Sequence, residues 1–407
     1  MLPGTTPTPE ERKVWADSGA NTTAVKDPGE CLRPTCRIPA FAAVAAAVIS
    51  LSLALGVAGM LGESPAAHDA EPIAAESDWQ PSPAMVTNGW VAAGRHDPAP
   101  AFDVSNCPAI GEIYRLGPGR DAVPALTEPA FVGAGEASWL TDDAPVLGLK
   151  VGSEARCYPL AIMNWHSLVH DRVAGQAIYV FWDPPSGMGL ARRVWAAERP
   201  LGLAGLGYRG VGLAYERRNG ALWDLFDGLP VSYPGKPLGF QPDLAPDRNW
   251  LPLERMTWGA WRRLHGNTQV LSRDTGYDAD YATDPYVLAA IGPGGQPENY
   301  WLSGSILAPE TLRDASATLP DKDWVLGFLA GEEAWALSLR ELVQSGESRL
   351  TLDTAAGPLV LTAWPADDRF LVQTKDGATL PQLRLFWYAW RARFADTKVW
   401  HPTPIQP

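Results

Sequence analysis

The chain states one pattern twice. Val146-Leu147-Gly148, a Gly-Ser turn and Glu154-Ala155-Arg156-Cys157-Tyr158-Pro159-Leu160 return as Val325-Leu326-Gly327 followed by Glu333-Ala334-Trp335-Ala336-Leu337-Ser338-Leu339. The stretch from Ala174 to Trp182 is echoed by Ala356 to Trp364. Trp258-Gly259-Ala260-Trp261, with Thr268 and Val270 after it, reappears as Trp387-Tyr388-Ala389-Trp390, with Thr397 and Val399. Two copies of about a hundred residues are too few and too long for a solenoid, whose units run roughly 20–50 residues. They imply one globular body built from two related halves.

Each half carries the same local order. A β-hairpin is expected around Val151-Gly152-Ser153 and again around Gly331, because alternating residues flank a turn. Pro159 opens a short amphipathic helix with Ile162, Trp165, Leu168 and Val169 along one face, matched by a helix over 338–344. Strands over 177–182 and 358–364 follow, and Trp-rich helices over 257–264 and 384–394 close each copy. From Trp182 to Trp258 is 76 residues and from Trp364 to Trp387 is 23, so the first half carries 53 extra. That elaborated interval is where a site is expected. The expected class is α+β, β-rich, two related halves of antiparallel strands with short Trp-rich helices, preceded by one transmembrane helix.

The transmembrane expectation comes from Ile38 to Gly62, twenty-five residues without a charge. At 1.5 Å per residue such a helix spans the roughly 30 Å of a bilayer core. Arg33 and Arg37 precede it, while Glu63, Asp69 and Glu71 follow, so the positive-inside bias keeps the first 37 residues in the cytoplasm. Cleavage near the small residues Ser64 to Ala67 is the alternative to a retained single-pass anchor. The resulting division is 1–37 disordered cytoplasmic tail, 38–62 transmembrane helix, 63–105 flexible stalk, 106–273 first half, 274–322 connecting region and 323–407 second half. The expected location is the cytoplasmic (inner) membrane with the C-terminal domain in the periplasm.

The tail's five basic and five acidic residues cancel, so the formal charge of −13 falls on the remainder. An acidic domain repels polyanions, which excludes nucleic acid as a partner and leaves a membrane or envelope protein. Eighteen tryptophans, concentrated in the paired halves, read as core packing. Cys107 and Cys157 both fall in the exported part, where a disulfide between them is allowed.

Several phrases together resemble a bacterial family, domain of unknown function 3179. They are Asp121-Ala122-Val123-Pro124-Ala125-Leu126, Val146 to Leu160, Asn164-Trp165-His166, Gly220-Ala221-Leu222-Trp223 and Leu271 to Tyr277. The resemblance covers roughly 110–401, including the doubled layout, and implies a shared fold without an established activity. Members of that family carry a Cys-Pro-x-Cys-Gly stretch just after the strand matching 177–182. Here the corresponding residues are Asp183-Pro184-Pro185-Ser186-Gly187. Paired thiolates bind soft metals or cycle through a disulfide, and aspartate and serine do neither.

His166 and His170 lie four apart on the expected helix, which is half of a metal site, with Asp183 and Met188 as further ligand candidates. The structural alternative makes Asn164, Trp165 and His166 a buried hydrogen-bonded cluster fixing helix to sheet. Asp274-Thr275-Gly276 has no partner triplet in the sister half, so no aspartate dyad forms by symmetry. Asp278, Asp280 and Asp284 lack the glycine and terminal glutamate of an EF-hand calcium loop and read as a solvated turn. The glycine-rich run 202–212 lacks a phosphate-loop Gly-Lys-Ser/Thr ending and reads as tight turns between strands. No Gly-x-Ser-x-Gly elbow occurs, and Ser186 has no assignable base. The expected function is that of a membrane-anchored extracytoplasmic binding or accessory protein, more non-enzymatic than enzymatic, with Trp165, His166, Asp183, Met188, Trp223 and Tyr277 facing an unknown ligand. The alternative is a metal-dependent or redox enzyme in which His166, Asp183 and His170 replace the lost thiolates. No cofactor is assignable.

Overall fold

Strands account for most of the architecture. The computed structural model describes Phe102 and residues 106–402, apart from 118, 195–199, 238–243, 245, 249, 289, 292–296, 310–311 and 313–317. Two short strands, β1 (Ile113–Arg115) and β2 (Phe131–Gly133), precede the first hairpin, β3 (Pro145–Val151) and β4 (Glu154–Pro159). Helix α1 (Leu160–His166) leads into the meander β5 (Leu168–Val173), β6 (Gln176–Asp183) and β7 (Met188–Arg193). Next come β8 (Leu201–Tyr208), β9 (Val211–Glu216), β10 (Leu222–Asp224) and β11 (Leu229–Pro230). The first copy closes with β12 (Leu253–Thr257), α2 (Trp258–Leu264) and β13 (Gln269–Leu271). A ribbon, β14 (Ala290–Ile291) and β15 (Pro297–Glu298), lies in the connection. The second copy runs β16 (Trp324–Ala330), β17 (Glu333–Ser338), α3 (Leu339–Ser345), β18 (Arg349–Thr354), β19 (Gly357–Trp364), β20 (Arg369–Thr374), β21 (Gln382–Phe386), α4 (Trp387–Arg391) and β22 (Lys398–Trp400).

The two copies share their ladders rung for rung. Gly148 pairs with Cys157 and Leu383's counterpart Glu254, just as Gly327 pairs with Ala336 and Leu383. Each hairpin adds a parallel strand at the same place, Val270 beside Cys157 and Val399 beside Ala336. The meanders β5-β6-β7 and β18-β19-β20 match as well, with Asp183 opposite Met188 where Trp364 is opposite Arg369. A common packing motif underlies this correspondence. The indoles of Trp261 and Trp390 lie flat on Gly148 and Gly327, where a Cβ would come within 2.2 and 2.4 Å of the ring. Each indole N–H donates to a threonine, Thr268 or Thr397, at 2.9 Å.

The expected α+β class is overturned. The fold is a β-propeller of five blades, mostly sheet, with four α-helices of five to seven residues among the described residues. Counting in halves assigned the 53 extra residues to the first half, whereas β8 to β11 join β1 as a sheet of their own. The transmembrane expectation is corrected too. No helix among the described residues is long and apolar enough to cross a membrane, and 38–62 lies outside them, as do 1–37 and all of 63–105 except Phe102. The helix expected to continue through Val169 stops at His166. Ser167 takes φ of +58°, turning the chain so that Leu168, Val169 and His170 enter β5. Cys107 and Cys157 are both free thiols; Cys107 donates to the Val231 carbonyl at 3.1 Å, and Cys157 is buried in the core beneath α2.

A buried ion cluster fastens the fifth sheet to the second copy. The Arg393 guanidinium pairs with Asp224 and donates to the carbonyls of Tyr208 and Arg209 at 2.8 and 3.1 Å. Its side chain is 1% exposed and that of Asp224 is 2%. A charge so deep persists only when paired and fully hydrogen-bonded.

Candidate functional site

Strand β6 delivers Asp183 into a tight turn. Ser186 N–H donates to the Asp183 carbonyl at 3.2 Å and Gly187 N–H to the Pro184 carbonyl at 3.1 Å. Pro184 and Pro185 restrict the backbone, and Gly187 closes the turn at φ of +68°, a conformation that costs glycine little. The Asp183 carboxylate accepts a hydrogen bond from the Ser186 hydroxyl, and the backbone N–H groups of Gly212 and Ser186 face it. Gly212 permits that approach, since a Cβ there would lie 2.8 Å from Asp183 Oδ1. Asp183 is 4% exposed. Desolvation pushes its pKa up to about 6, against the opposing pull of the donors and of Arg393. Among the described residues no cation forms an ion pair with it.

Phenols from four separate stretches surround this acid. Tyr300 and Tyr388 both donate to the Pro185 carbonyl, the latter at 2.9 Å, and so hold the turn from two sides. The Tyr286 and Tyr114 hydroxyls are raised well above the phenol range by burial and then by the Asp183 charge, so both stay protonated. Tyr114 lies against Gly207, and its buried hydroxyl faces Gly210 without closing a well-formed hydrogen bond.

Above the carboxylate opens a cavity of about 90 Å³. Leu116, Val123, Phe181, Leu203, Leu213 and Leu307 make most of its wall, with Ser167 and Tyr286 as minor polar contributors. Among the described residues Asp183 is its one carboxylate. The β8–β9 hairpin of the fifth sheet supplies one side and the 183–187 turn the floor. The arrangement has the chemistry to hold a small apolar body and fix one polar end of it.

The residues singled out in the sequence separate into two groups. Trp165, His166 and Tyr277 come together at the 272–284 loop. Trp165 donates its indole N–H to the Thr283 carbonyl at 3.0 Å, and the His166 and Tyr277 rings lie 5.3 Å apart. Asn164 accepts from the Trp182 indole at 2.7 Å, both side chains being buried, which joins helix to sheet. Asp183 and Met188 face each other across a rung, with Met188 in the core. Trp223 sits apart on β10.

The metal set His166, His170 and Asp183 is not assembled. His166 bonds Pro124 and Tyr281, and His170 lies on a strand with Nε2 at 3.0 Å from the Leu201 carbonyl. Burial lowers both imidazoles to about 4. Among the described residues no three His, Cys, Asp or Glu side chains are grouped to share a metal. Asp280 and Asp284 spend their oxygens on Ala282, Thr283, Tyr286 and Trp301 instead of a cation.

Sequence reasoning missed Tyr114, Gly212, Tyr286, Tyr300 and Tyr388. None has a local signal: Tyr114 and Gly212 reach Asp183 on paired strands, and Tyr286, Tyr300 and Tyr388 reach it from a 3-10 turn, a loop and a helix far along the chain. The closest hint was the glycine run 202–212, whose bare positions let Tyr114 and Asp183 lie against the strands.

With this geometry in hand, comparison with known proteins adds one finding. The family described as "Protein of unknown function (DUF3179)" matches residues 120–379. No curated protein and no solved structure matches the chain.

Proposed function

Given that the chain belongs to the DUF3179 family, whose description assigns no activity, we propose that it is a binding protein for a small molecule with a short apolar body and a basic head, seated against Asp183. One observation carries this reading: a single buried carboxylate, without an ion-pair partner among the described residues, at the floor of an otherwise apolar cavity. Ionised carboxylates in such surroundings are unfavourable, and a cation within about 4–6 Å restores the charged form. An ammonium head supplies that cation while its alkyl body fills the space between Phe181, Leu203 and Leu213. Cavity size limits the buried part of the ligand to a few carbons. By the resemblance drawn from the sequence, the family's paired cysteines would fall on Asp183 and Ser186, where this pocket floor presents oxygen.

Titrating the full chain with n-propylamine, n-propanol and propionate tests the reading, with calorimetry and thermal unfolding as readouts. Saturable binding is expected for the amine alone, lost in Asp183→Asn and weakening as pH falls through about 6. Equal responses to all three probes, or amine binding unchanged in Asp183→Asn, would refute it.

A further inference from the structure

A second cluster aligns three side chains, Thr275 and Tyr281 from one loop and His166 from α1. His166 Nδ1 lies 3.0 Å from the Pro124 carbonyl oxygen. A carbonyl only accepts, so Nδ1 carries the ring proton. Burial holds the imidazole neutral, with its pKa lowered to about 4, which leaves Nε2 a bare lone pair. The Tyr281 hydroxyl, 2.6 Å from Nε2, must therefore donate. Its single proton is then committed, so Thr275 Oγ1, 2.5 Å from the Tyr281 oxygen, is the donor of the last bond. One backbone carbonyl thus orders the whole chain of protons, Thr275 to Tyr281 to His166. Thr275 is half-buried at the loop surface, and the Tyr277 N–H approaches its oxygen at 3.3 Å.

We propose that Thr275 is a nucleophilic hydroxyl that takes acyl groups from neutral or cationic carboxylic esters. Its oxygen attacks the ester carbonyl while its proton passes to Tyr281 and the Tyr281 proton passes to His166 Nε2. Collapse of the tetrahedral adduct breaks the bond to the leaving alkoxide, which takes the proton back along the same path. A water molecule, activated by the same relay, then releases the acid and restores Thr275. The arrangement is that of an activated nucleophile whose base is oriented by a third group, here the Pro124 carbonyl. Substrate charge follows from the loop itself. Asp274, Asp278 and Asp280 are exposed around Thr275 and repel anionic esters, while the Tyr277 ring, 41% exposed, offers an apolar platform.

The full chain incubated with p-nitrophenyl acetate, followed by p-nitrophenolate release and peptide mass mapping, tests the proposal. The expected result is one acetyl group on Thr275, absent in Thr275→Ala and retained in Thr275→Ser. His166 is buried, so Tyr281→Phe, which removes only the bridging hydroxyl, is the diagnostic variant. Release should fall at least about tenfold in it while the variant stays folded by circular dichroism, its melting temperature lowered only by the loss of the buried hydrogen bond. After subtraction of the uncatalysed reaction, the wild-type rate should stay level between about pH 5 and 8, because the relay needs only a neutral His166. No acetyl group on wild-type Thr275, or wild-type release by a folded Tyr281→Phe, would overturn it. Loss of amine binding at Asp183 would leave it standing.

Discussion

Replacing Asp183 by asparagine removes a titration that the fold opposes. Burial holds the folded pKa near 6, about two units above the ~3.9 of an unfolded aspartate. Below about pH 4 the carboxyl is protonated in both states and costs nothing. Between about pH 4 and 6 the unfolded chain releases its proton first, so stability falls as pH rises. Above about pH 6 both states are ionised and the full cost stands, about 3 kcal/mol at ~1.4 kcal/mol per unit. Asparagine keeps an acceptor for the Ser186 hydroxyl but carries no charge. The stability of Asp183→Asn relative to wild type should therefore grow by about 3 kcal/mol between pH 4 and 8. Urea denaturation followed by tryptophan fluorescence at both pH values measures this, and other titrating groups cancel in the difference. Propylamine at saturation should shrink the increment, since a bound cation lowers the carboxyl's pKa again. A variant-to-wild-type offset that stays constant with pH would show that the acid is not desolvated as the structure has it.

Five other substitutions probe the scaffold. Gly148→Ala and Gly327→Ala should each destabilise by about 1–3 kcal/mol or more, and by similar amounts, because both force a methyl group into the facing indole; denaturant midpoints compare the two. Arg393→Ala strands Asp224 in the interior and should cost about 3–5 kcal/mol, whereas Arg263→Ala, whose ion pair with Asp367 is exposed, should cost under about 1 kcal/mol by the same measurement. Trp182→Phe removes the donor to the buried Asn164 oxygen and should lose about 2–4 kcal/mol in hydrogen bond and cavity together, read as a lowered melting temperature.

Recurrence was legible in the sequence because its cause is local. A glycine, a tryptophan and a threonine must stand at fixed rungs for the indole to lie on the strand, and those residue types survive in both copies. Strand positions in the hairpins were readable for the same reason. The helices over 257–264 and 338–344 were readable too, but the end of the first helix was not. Trp165, Leu168 and Val169 keep a helical spacing on paper, but Ser167 adopts a left-handed φ and sends the last two into a strand. Periodicity does not register a single reversed dihedral. The fifth sheet escaped because β1 reaches β8 across more than eighty intervening residues, which no window of sequence spans. Asp183 was singled out because the resemblance implies a cysteine at its position, yet its phenol neighbours are contributed one at a time from Tyr114 to Tyr388. His166 was noticed as a ligand, and its partner Tyr281, together with Thr275 bonded to that hydroxyl, was passed over as part of an acidic turn.

The two copies bring the same turn into different company, and that difference creates the pocket. Asp183-Pro184-Pro185-Ser186-Gly187 corresponds rung for rung to Trp364-Pro365-Ala366-Asp367-Asp368, and the last residue of each is left-handed, at φ of +68° and +51°. In the second copy Asp368 places its carboxylate against Arg384 at 2.6 Å and Arg255 at 3.6 Å, and Asp367 pairs with Arg263. Every charge in that turn has a partner. The Trp324 ring occupies the corresponding space in the first copy, where a Cβ on Gly187 would come within 2.5 Å of it, so no side chain can project there. The acid has moved to the end of β6 instead, out of reach of those arginines. There the fifth sheet lays Gly212 across it and walls the space beside it with Leu203 and Leu213. Among the described residues that sheet contributes no ionisable side chain to the cavity lining. Its effect is to bury a carboxylate already present in the turn, which among the described residues has hydrogen-bond donors but no ion-pair partner, and it is this burial that the proposed cationic ligand answers.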